Sequence, residues 1–589
     1  MEKKFIRQYS LIWLCALGMA SFSSCVDDAY DLSKDIDMTV TIGGDLTVPG
    51  SNTDEVKLKD VLDIEDDSVV KADSEGNYSI VKDGEGSDTD VTVDGVNISG
   101  EELDIEKAEQ NLSFKYISAA GEVSSEEDFN ETTKFNIKKS DITEDLVALN
   151  WAELDMKSEL VFGIKNNSDV KRLWLKKGFS ITFPAYMTVV SDDPDCTVNE
   201  EGNVLTFNKD ITIERGVTKR VDLRIVKMDF THPSAEGQGL TSNHELIVNA
   251  DVNIDGKAYI SSSEFVQGET QIDLTLESGM EVENIELKEV NGIADPKIDI
   301  SVDPITIDNL PDFLSDDDVK IEMTDPRIYL TLTNESPVSV NMSAELIPYK
   351  NGERLNTVVI GNADSDNAAN SIIIPGNKTN YTICLHKGGS TDGLAADKFV
   401  VVENLNDLIA TIPDEIKMEN VVAKATKEDV TITMGETYNV RTDYKIDAPL
   451  MFSEGTNIIY TDSMDGWSED IDKADFNKVE ISMDVINRIP LELNMNMEAI
   501  DINGDVLSDV KVDVEGNIAA GTTDNPTTKT LKVTLTSSNG AVKRLDGIKF
   551  RVECKGGNGL ENSCLNENQS IKIDNLKLKL IGGITMDLN

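Results

Sequence analysis

The 589-residue sequence is poor in the residues from which catalytic and metal sites are usually built. Its three histidines, His232, His244 and His386, form neither HExxH nor another metal-ligand spacing. The sequence also lacks a G-x-S-x-G nucleophile elbow, a G-x-x-x-x-G-K-[ST] phosphate loop and a G-x-G-x-x-G motif after a strand. We therefore predict a noncatalytic protein that holds no metal and no dissociable cofactor.

Aromatic residues make up only 5% of the chain, and the tryptophans beyond the N-terminal segment are Trp151, Trp174 and Trp467. Because sugar rings stack on aromatic faces, this scarcity argues against a deep glycan cleft. Glycoside hydrolysis needs only two carboxylates at the right separation, and 109 acidic residues leave that alternative open.

Basic residues are also few, since 54 lysines and arginines face 109 acids and give a formal net charge of −55. Such a surface repels phosphate backbones, so we predict no nucleic-acid partner. Acidic clusters at 192–195, 316–318 and 501–505 do not complete a D-x-[DN]-x-[DN]-G calcium loop with a distant Glu. Solvated loops are the expected form of all three.

A continuous apolar run of membrane-spanning length is absent, but the first 24 residues have the pattern of an export signal. Lys3, Lys4 and Arg7 precede the apolar run 10–20, and small residues lead to Cys25. The stretch FSSC resembles the looser lipobox of Bacteroidetes lipoproteins. The resemblance implies cleavage before Cys25, a covalent diacylglycerol and acyl chain on that cysteine, and a membrane partner through this anchor. An ordinary signal with a chance cysteine is the alternative.

Asp27 and Asp28 follow the cysteine directly and resemble the Bacteroidetes lipoprotein export signal. The resemblance implies an outer-membrane lipoprotein exposed at the cell surface, whereas a plain polar linker would leave it on the periplasmic face. The layout as a whole resembles the uncharacterised multi-module surface lipoproteins of Bacteroidales.

The remaining cysteines are Cys196, Cys384, Cys554 and Cys564. Cys554 and Cys564 flank a glycine-rich loop that is short enough for a disulfide in an oxidising compartment. Cys196 and Cys384 are expected to be buried thiols.

Two short sequences, Asp-Ser-Val at Ser68 and Asp-Ser-Met at Ser463, resemble the Bacteroidetes O-glycosylation sequon. The resemblance implies a glycan on the hydroxyl of each serine.

Alternating apolar and polar residues dominate the chain, as in 245–260, 297–307 and 529–536. This period of two is typical of half-buried strands and predicts a mainly β fold. Asn-Gly pairs at 351–352 and 503–504 predict type I′ hairpin turns.

Internal repeats suggest a duplicated unit. Residues 328–346 and 479–497 share a strand, an Asn-x-x-Pro motif and a second strand, and 158–175 is a weaker copy. Downstream, 283–293 matches 574–584, and 419–425 is a fainter relative. Units of this size with many short strands predict tandem immunoglobulin-like β-sandwich modules behind the lipidated N-terminus.

The partition predicted from these patterns has seven parts. They are a signal peptide (1–24), a lipidated acidic tether (25–40), an N-terminal β region (41–145), module 1 (146–300), module 2 (301–435), inter-module strands (436–475) and module 3 (476–589).

Three functions fit the sequence. We predict a noncatalytic outer-membrane lipoprotein whose modules act as a cell-surface binding or structural protein for a protein or glycan partner. The alternatives are a glycan-binding or glycan-degrading surface lipoprotein, which needs a carboxylate pair in a cleft, and an envelope or fimbrial assembly component, which needs an open strand edge.

Overall fold

A computed structural model describes residues 39–42, 46–49, 52, 54–62, 64–65, 67–117, 124–165, 170–298, 300, 303–315, 319–468, 474–475, 478–537, 544–581 and 584–587. Strands make up most of this part of the chain, and the predicted fold class, mainly β and rich in sandwiches, is confirmed. The alternating sequence pattern explains why. In 246–259, for example, every second side chain is buried and the others face solvent.

Nine strands that we call the N-terminal segment precede the repeated units. They are β1 (Thr39–Ile42), β2 (Leu46–Pro49), β3 (Val56–Lys57), β4 (Val70–Ala72), β5 (Tyr78–Thr92), β6 (Val96–Ile98), β7 (Leu103–Ile105), β8 (Ala108–Lys115) and β9 (Glu127–Lys139).

Unit 1 contains the next twelve strands. They are β10 (Leu146–Lys165), β11 (Arg172–Leu175), β12 (Ser180–Thr182), β13 (Met187–Val190), β14 (Cys196–Val198), β15 (Val204–Phe207), β16 (Ile211–Glu214), β17 (Lys219–Asp222), β18 (Arg224–Asp229), β19 (Gly239–Leu240), β20 (Leu246–Tyr259) and β21 (Gln271–Ala294). One sheet has the order β13-β18-β10-β21, the other β14-β15-β12-β20-β11-β16, and Leu160 and Ile254 bring both into one core.

Unit 2 contains eleven strands. They are β22 (Ile305–Thr306), β23 (Arg327–Asn334), β24 (Val340–Lys350), β25 (Glu353–Arg354), β26 (Val358–Gly361), β27 (Ile372–Ile374), β28 (Lys378–His386), β29 (Lys398–Val401), β30 (Glu415–Ala425), β31 (Asp429–Thr433) and β32 (Thr437–Pro449). Its sheets run β29-β28-β23-β32-β5-β4 and β22-β30-β24-β25, while β31 joins unit 1 by pairing with β21.

Unit 3 contains the last nine described strands. They are β33 (Ile458–Met464), β34 (Ala474–Asp475), β35 (Lys478–Asn487), β36 (Leu491–Ile500), β37 (Val510–Glu515), β38 (Thr527–Ser537), β39 (Gly547–Gly556), β40 (Ser570–Ile581) and β41 (Ile584–Asp587). Its sheets run β2-β40-β35-β38-β37 and β33-β39-β36, and its buried residues share one core with those of unit 2.

The helices are single turns. Two α-helical turns and four 3-10 turns lie among the described residues, at Leu58–Val61, Asp312–Ser315, Gly100–Glu102, Pro233–Ala235, Ser262–Glu264 and Leu405–Leu408.

The Asn-x-x-Pro repeat has a structural basis in a buried amide. Asn334 ends β23 and is fully buried; its Nδ2 donates to the carbonyl of Val338 at 2.9 Å and to that of Pro375 at 3.3 Å. Its Oδ1 accepts the backbone N–H of Ser336 at 3.1 Å. One side chain therefore holds the end of the first strand, the start of the second and a later loop.

Asn487 makes equivalent hydrogen bonds at the end of β35. Its Nδ2 donates to the carbonyls of Leu491 at 2.9 Å and Ala519 at 3.0 Å, and its Oδ1 accepts the N–H of Ile489 at 2.9 Å. Asn487 is also fully buried.

In each unit a late strand, β21, β32 or β40, pairs antiparallel with the strand that opens the repeated motif, β10, β23 or β35. The match between 283–293 and 574–584 therefore reflects equivalent strands. The predicted equivalence of 419–425 is wrong, because this segment lies on β30, which pairs with the second strand, β24.

The misleading likeness comes from a shared bulge. Asn420 (φ 50°) and Asn575 (φ 55°) are left-handed, and each lies where the register with the neighbouring strand shifts by one residue. Asn420 Nδ2 donates to Glu345 at 3.0 Å, and Asn575 Nδ2 donates to Asp484 at 2.8 Å. A left-handed asparagine bonded to an acid on the neighbouring strand thus forms the same kind of bulge on nonequivalent strands.

The predicted boundary between module 2 and the inter-module strands needs correction. β32 lies in the range 436–475, yet its residues 440–447 pair with β23 along the whole of that strand. A boundary at 435 would cut through the unit 2 sheet.

The N-terminal segment is distributed over all three units, in reverse order along the chain. β2 and β3 pair with β40 of unit 3, β4 and β5 extend the β32 edge of unit 2, and β6, β8 and β9 pair with β21 and β20 of unit 1. Glu55 forms an ion pair with Arg488 of unit 3 at 2.8 Å. Region 41–145 therefore supplies edge strands to its neighbours.

The two ends of the described chain meet beside unit 3. β1 pairs antiparallel with β41, from Thr39 opposite Asp587 to Ile42 opposite Ile584, and β34 pairs with the same β41.

The two predicted type I′ turns have different outcomes. Asn351 (φ 51°) and Gly352 (φ 78°) are both left-handed, as this turn requires. At 501–505 the prediction is wrong, since only Gly504 has positive φ and the Asp501 carboxylate accepts the N–H groups of Asn503 and Asp505.

Candidate functional site

The predicted lipidation site and export signal, which are Cys25, Asp27 and Asp28, lie outside the described residues. The acidic cluster 316–318 lies outside them as well. Lipidation and export therefore remain predictions. No helix among the described residues is long and apolar enough to cross a membrane.

The four described cysteines are free thiols, in contrast to the predicted Cys554–Cys564 disulfide. Cys554 lies within β39, opposite Ile458 on β33 and Leu493 on β36. Cys564 lies in the following loop, and its Sγ donates to the carbonyl of Tyr78 at 3.2 Å. Burial raises the pKa of both thiols, that of Cys554 to about 12 and that of Cys564 to about 11.

The two predicted glycosylation serines differ in access. Ser68 is 3% exposed, and its Oγ accepts the N–H of Val70 at 3.1 Å. Ser463 is exposed on β33, and its N–H donates to the Asp462 carboxylate at 2.8 Å. In the folded protein only Ser463 offers its hydroxyl to solvent.

The remaining candidate ligands are spread through the fold. His232 and His244 lie in loops of unit 1, whereas His386 is buried at the end of β28 against the edge of the Phe399 ring. In the described part of the chain, no three His, Cys, Asp or Glu side chains form a group that could hold a metal.

The best-formed cavities are small and lie inside the sandwiches. One, of about 10 Å³, is lined by Leu160 and Ile181 of unit 1, and one of about 20 Å³ is lined by Leu330 and Leu346 of unit 2. Each cavity has room for about one water molecule, and no carboxylate lines either of them.

A stacked pair of aromatic rings lies on the sheet of unit 1 that contains β11 and β20. Trp174 on β11 stacks on Tyr259 on β20, with ring centroids 5.7 Å apart and planes 9° from parallel. The Arg172 guanidinium lies 5.9 Å from the Trp174 ring centre, and Tyr259 donates to Asp210 at 2.7 Å. The Trp174 ring is therefore engaged by neighbouring side chains of the same chain.

One side of β5 lacks a pairing partner among the described strands over most of its length. β32 pairs with β5 from Ser79 to Thr92, but β4 covers the opposite side only at Tyr78–Ile80, extended by a hydrogen bond from Val81 to Val69. From Lys82 to Thr92, no described strand pairs on that side. We call this stretch the open edge; its eleven residues span about 35 Å.

The open edge is acidic and exposed. Asp83, Glu85, Asp88 and Asp90 all face solvent, and Lys82 is its only base. None of the sequence patterns described above predicts this site. The available signal is KDGEGSDTDVT, in which acids recur at alternating positions and glycines replace the apolar residues that half-buried strands normally carry.

Comparison with known proteins leaves the chain without an assigned family. No protein-family model and no curated protein matches it. The structure is similar, with a TM-score of 0.35 and 16% identity, to a Parabacteroides distasonis protein described as secreted, over 50% of this chain and 83% of that one. A structure of infectious bursal disease virus strain Gx follows with a TM-score of 0.10 and 9% identity, over 89% and 82% of the two chains. At these scores neither similarity carries an argument about function.

Proposed function

We propose that this protein is a noncatalytic outer-membrane lipoprotein that acts at the cell surface as a binding or structural protein. The observation that supports the proposal most strongly is the reversed course of the N-terminal segment. The chain passes unit 3 first, then unit 2 and then unit 1. A lipid on Cys25 would therefore attach beside unit 3, and unit 1 would be the part of the array farthest along the tethered segment.

The lipid anchor is tested by changing the cysteine that carries it. Wild type should fractionate with outer membranes, and Cys25→Ala should be released into the soluble fraction because two acyl chains are lost. Cys15→Ala, within the signal peptide, is the matched control and should stay in the membrane. Retention of Cys25→Ala in the membrane fraction would contradict the proposed lipid anchor.

Surface exposure is tested separately. Protease added to intact cells should degrade wild type and spare Asp27→Ala/Asp28→Ala, with both proteins in the membrane fraction. Equal protection of the two proteins would place the chain on the periplasmic face instead.

The open edge favours a second candidate, an envelope or fimbrial assembly component. An unpaired strand can accept a strand of another protein through its backbone N–H and C=O groups. Co-purification of the envelope protein from cross-linked cells should then recover a stoichiometric protein partner, while a glycan array shows no binding. Glycan binding without a protein partner would favour the glycan alternative.

A further inference from the structure

A bulge in β5 places the acids of the open edge on one face. Glu85 lies opposite Asp443 and Asp88 opposite Arg441, so two residues of β5 oppose Thr442 alone. The extra residue shifts the alternation of side chains by one position. The acids before and after the bulge therefore project from the same face; they are Asp83, Glu85, Asp88 and Asp90.

On the opposite face of the same stretch, Gly84 and Gly86 leave room for atoms of β32. A Cβ on Gly84 would overlap the Tyr444 ring, and one on Gly86 would lie 2.5 Å from the carbonyl oxygen of Thr442. Tyr444 is 8% exposed and packs across the strand from the core side. Around the bulge this face is thus occupied by the Tyr444 ring, and the carboxylates lie on the other face.

Bases next to the open edge do not neutralise it. Arg441 lies 3.1 Å from Asp443 and 3.9 Å from Glu85, and the Asp443 carboxylate, with smaller effects of Glu85 and Asp88, holds the pKa of Arg441 above its usual value. On the neighbouring strand Lys445 lies opposite Asp83 and is followed on the same face by the acid Asp447. The excess of negative charge therefore belongs to β5.

A second copy of this chain is a poor occupant. Two β5 edges paired with one another would bring rows of carboxylates together, and like charges on facing strands are destabilising. A strand with lysine or arginine at alternate positions would instead set each base beside an acid while its backbone completes the sheet.

From this geometry we propose that the open edge of β5 binds a cationic extended segment of another protein, which joins the unit 2 sheet as an added strand. The inference rests on the proposed function as a surface binding or structural protein and names the chemistry of its partner.

The test uses the mature full-length chain and a labelled ten-residue peptide that alternates lysine with valine, followed by fluorescence anisotropy at physiological salt. The same peptide with glutamate for lysine should bind at least about tenfold more weakly, a loss of about 1.4 kcal/mol or more. Two further peptides are methylated at alternate backbone nitrogens, one at the odd positions and one at the even positions, which keeps the charge and removes half of the N–H donors. Loss of binding by one of these two peptides supports strand addition, and unchanged binding by both overturns it.

The site is tested by charge reversal on the protein. Asp83→Lys/Asp90→Lys should weaken binding by about tenfold, whereas Glu200→Lys/Glu201→Lys, on an exposed turn of unit 1, should change it less than about twofold. Equal effects of the two variants would overturn the assignment. Absence of peptide binding by a protein that fractionates with membranes through Cys25 would refute this inference and leave the proposed function standing.

Discussion

Asn334 and Asn487 make the same three hydrogen bonds at the ends of β23 and β35, although they lie in different units. Each joins a strand end, the following strand and a loop that arrives much later in the chain. The motif thus marks a structural requirement shared by units 2 and 3.

Replacing either asparagine should destabilise its unit strongly. Asn334→Ala or Asn487→Ala removes three hydrogen bonds from a fully buried site, and should lower the free energy of unfolding by about 2 to 3 kcal/mol. Urea unfolding measures the change. Asn208→Ala, at an exposed position, should cost less than about 0.5 kcal/mol, and equal effects would contradict the role of the buried amide.

The left-handed asparagines should tolerate glycine and resist alanine. Asn420→Ala and Asn575→Ala should each lower the free energy of unfolding by about 1 kcal/mol. A Cβ is strained at φ near 50°, and alanine lacks the polar side chain that offsets this strain. Asn420→Gly and Asn575→Gly should be nearly neutral by the same measurement. A larger loss for glycine than for alanine would show that the contacts with Glu345 and Asp484 matter more than φ.

The thiols should be unreactive in the native state. Burial raises the pKa of Cys196 and Cys554 to about 12, and it also raises that of Cys384, so thiolate is scarce at pH 8. Iodoacetamide should modify the described cysteines only in denaturant, as read by peptide mapping. A Cys554–Cys564 cross-link in unreduced protein from cells would restore the predicted disulfide.

Stability should decline in alkali. Burial raises the pKa of Tyr186 to about 12, from 10.0, and that of Cys196 to about 12, from 9.0. Their stabilising contribution is complete below the unfolded-state pKa values and is lost as pH rises toward 12, because the unfolded chain releases these protons first. The free energy of unfolding should therefore fall from about pH 9 upward. Tyr186→Phe should flatten that fall, and an unchanged slope would exclude Tyr186 as a cause.

Unit 1 should depend on the N-terminal segment. Phe129 on β9 is fully buried and packs on Phe179 of unit 1, with ring centroids 5.7 Å apart. Phe129→Ala should cost about 3 to 4 kcal/mol in the urea transition reported by the tryptophans of unit 1. Tyr116→Ala, at a side chain that is 47% exposed and contacts the Phe265 ring, is the control and should cost no more than about 1.5 kcal/mol.

Local patterns predicted the features that depend on neighbours in the chain. Alternating burial predicted strands such as β20, and the Asn-x-x-Pro repeat predicted the equivalence of β23–β24 with β35–β36. At 351–352 the Asn-Gly pair was enough to predict the turn, whereas at 501–505 the side chain of Asp501 decided the conformation.

Pairing between distant strands was beyond these patterns. In sequence, 436–475 looks like a separate group of strands between modules, and only the long-range pairing of β32 with β23 assigns β32 to unit 2. The open edge escaped notice for the same reason, since whether a strand has one neighbour or two depends on the other strands of the sheet.

The reversed course of the N-terminal segment also constrains how the protein can fold. β2 and β3 are synthesised early but find their partners on β40, so this sheet of unit 3 cannot be completed until β40 has left the ribosome. Folding that depends on such distant contacts is slow, and strand edges stay exposed until those contacts have formed. The acids and glycines of β5 therefore also protect the chain from aggregation while its folding is incomplete.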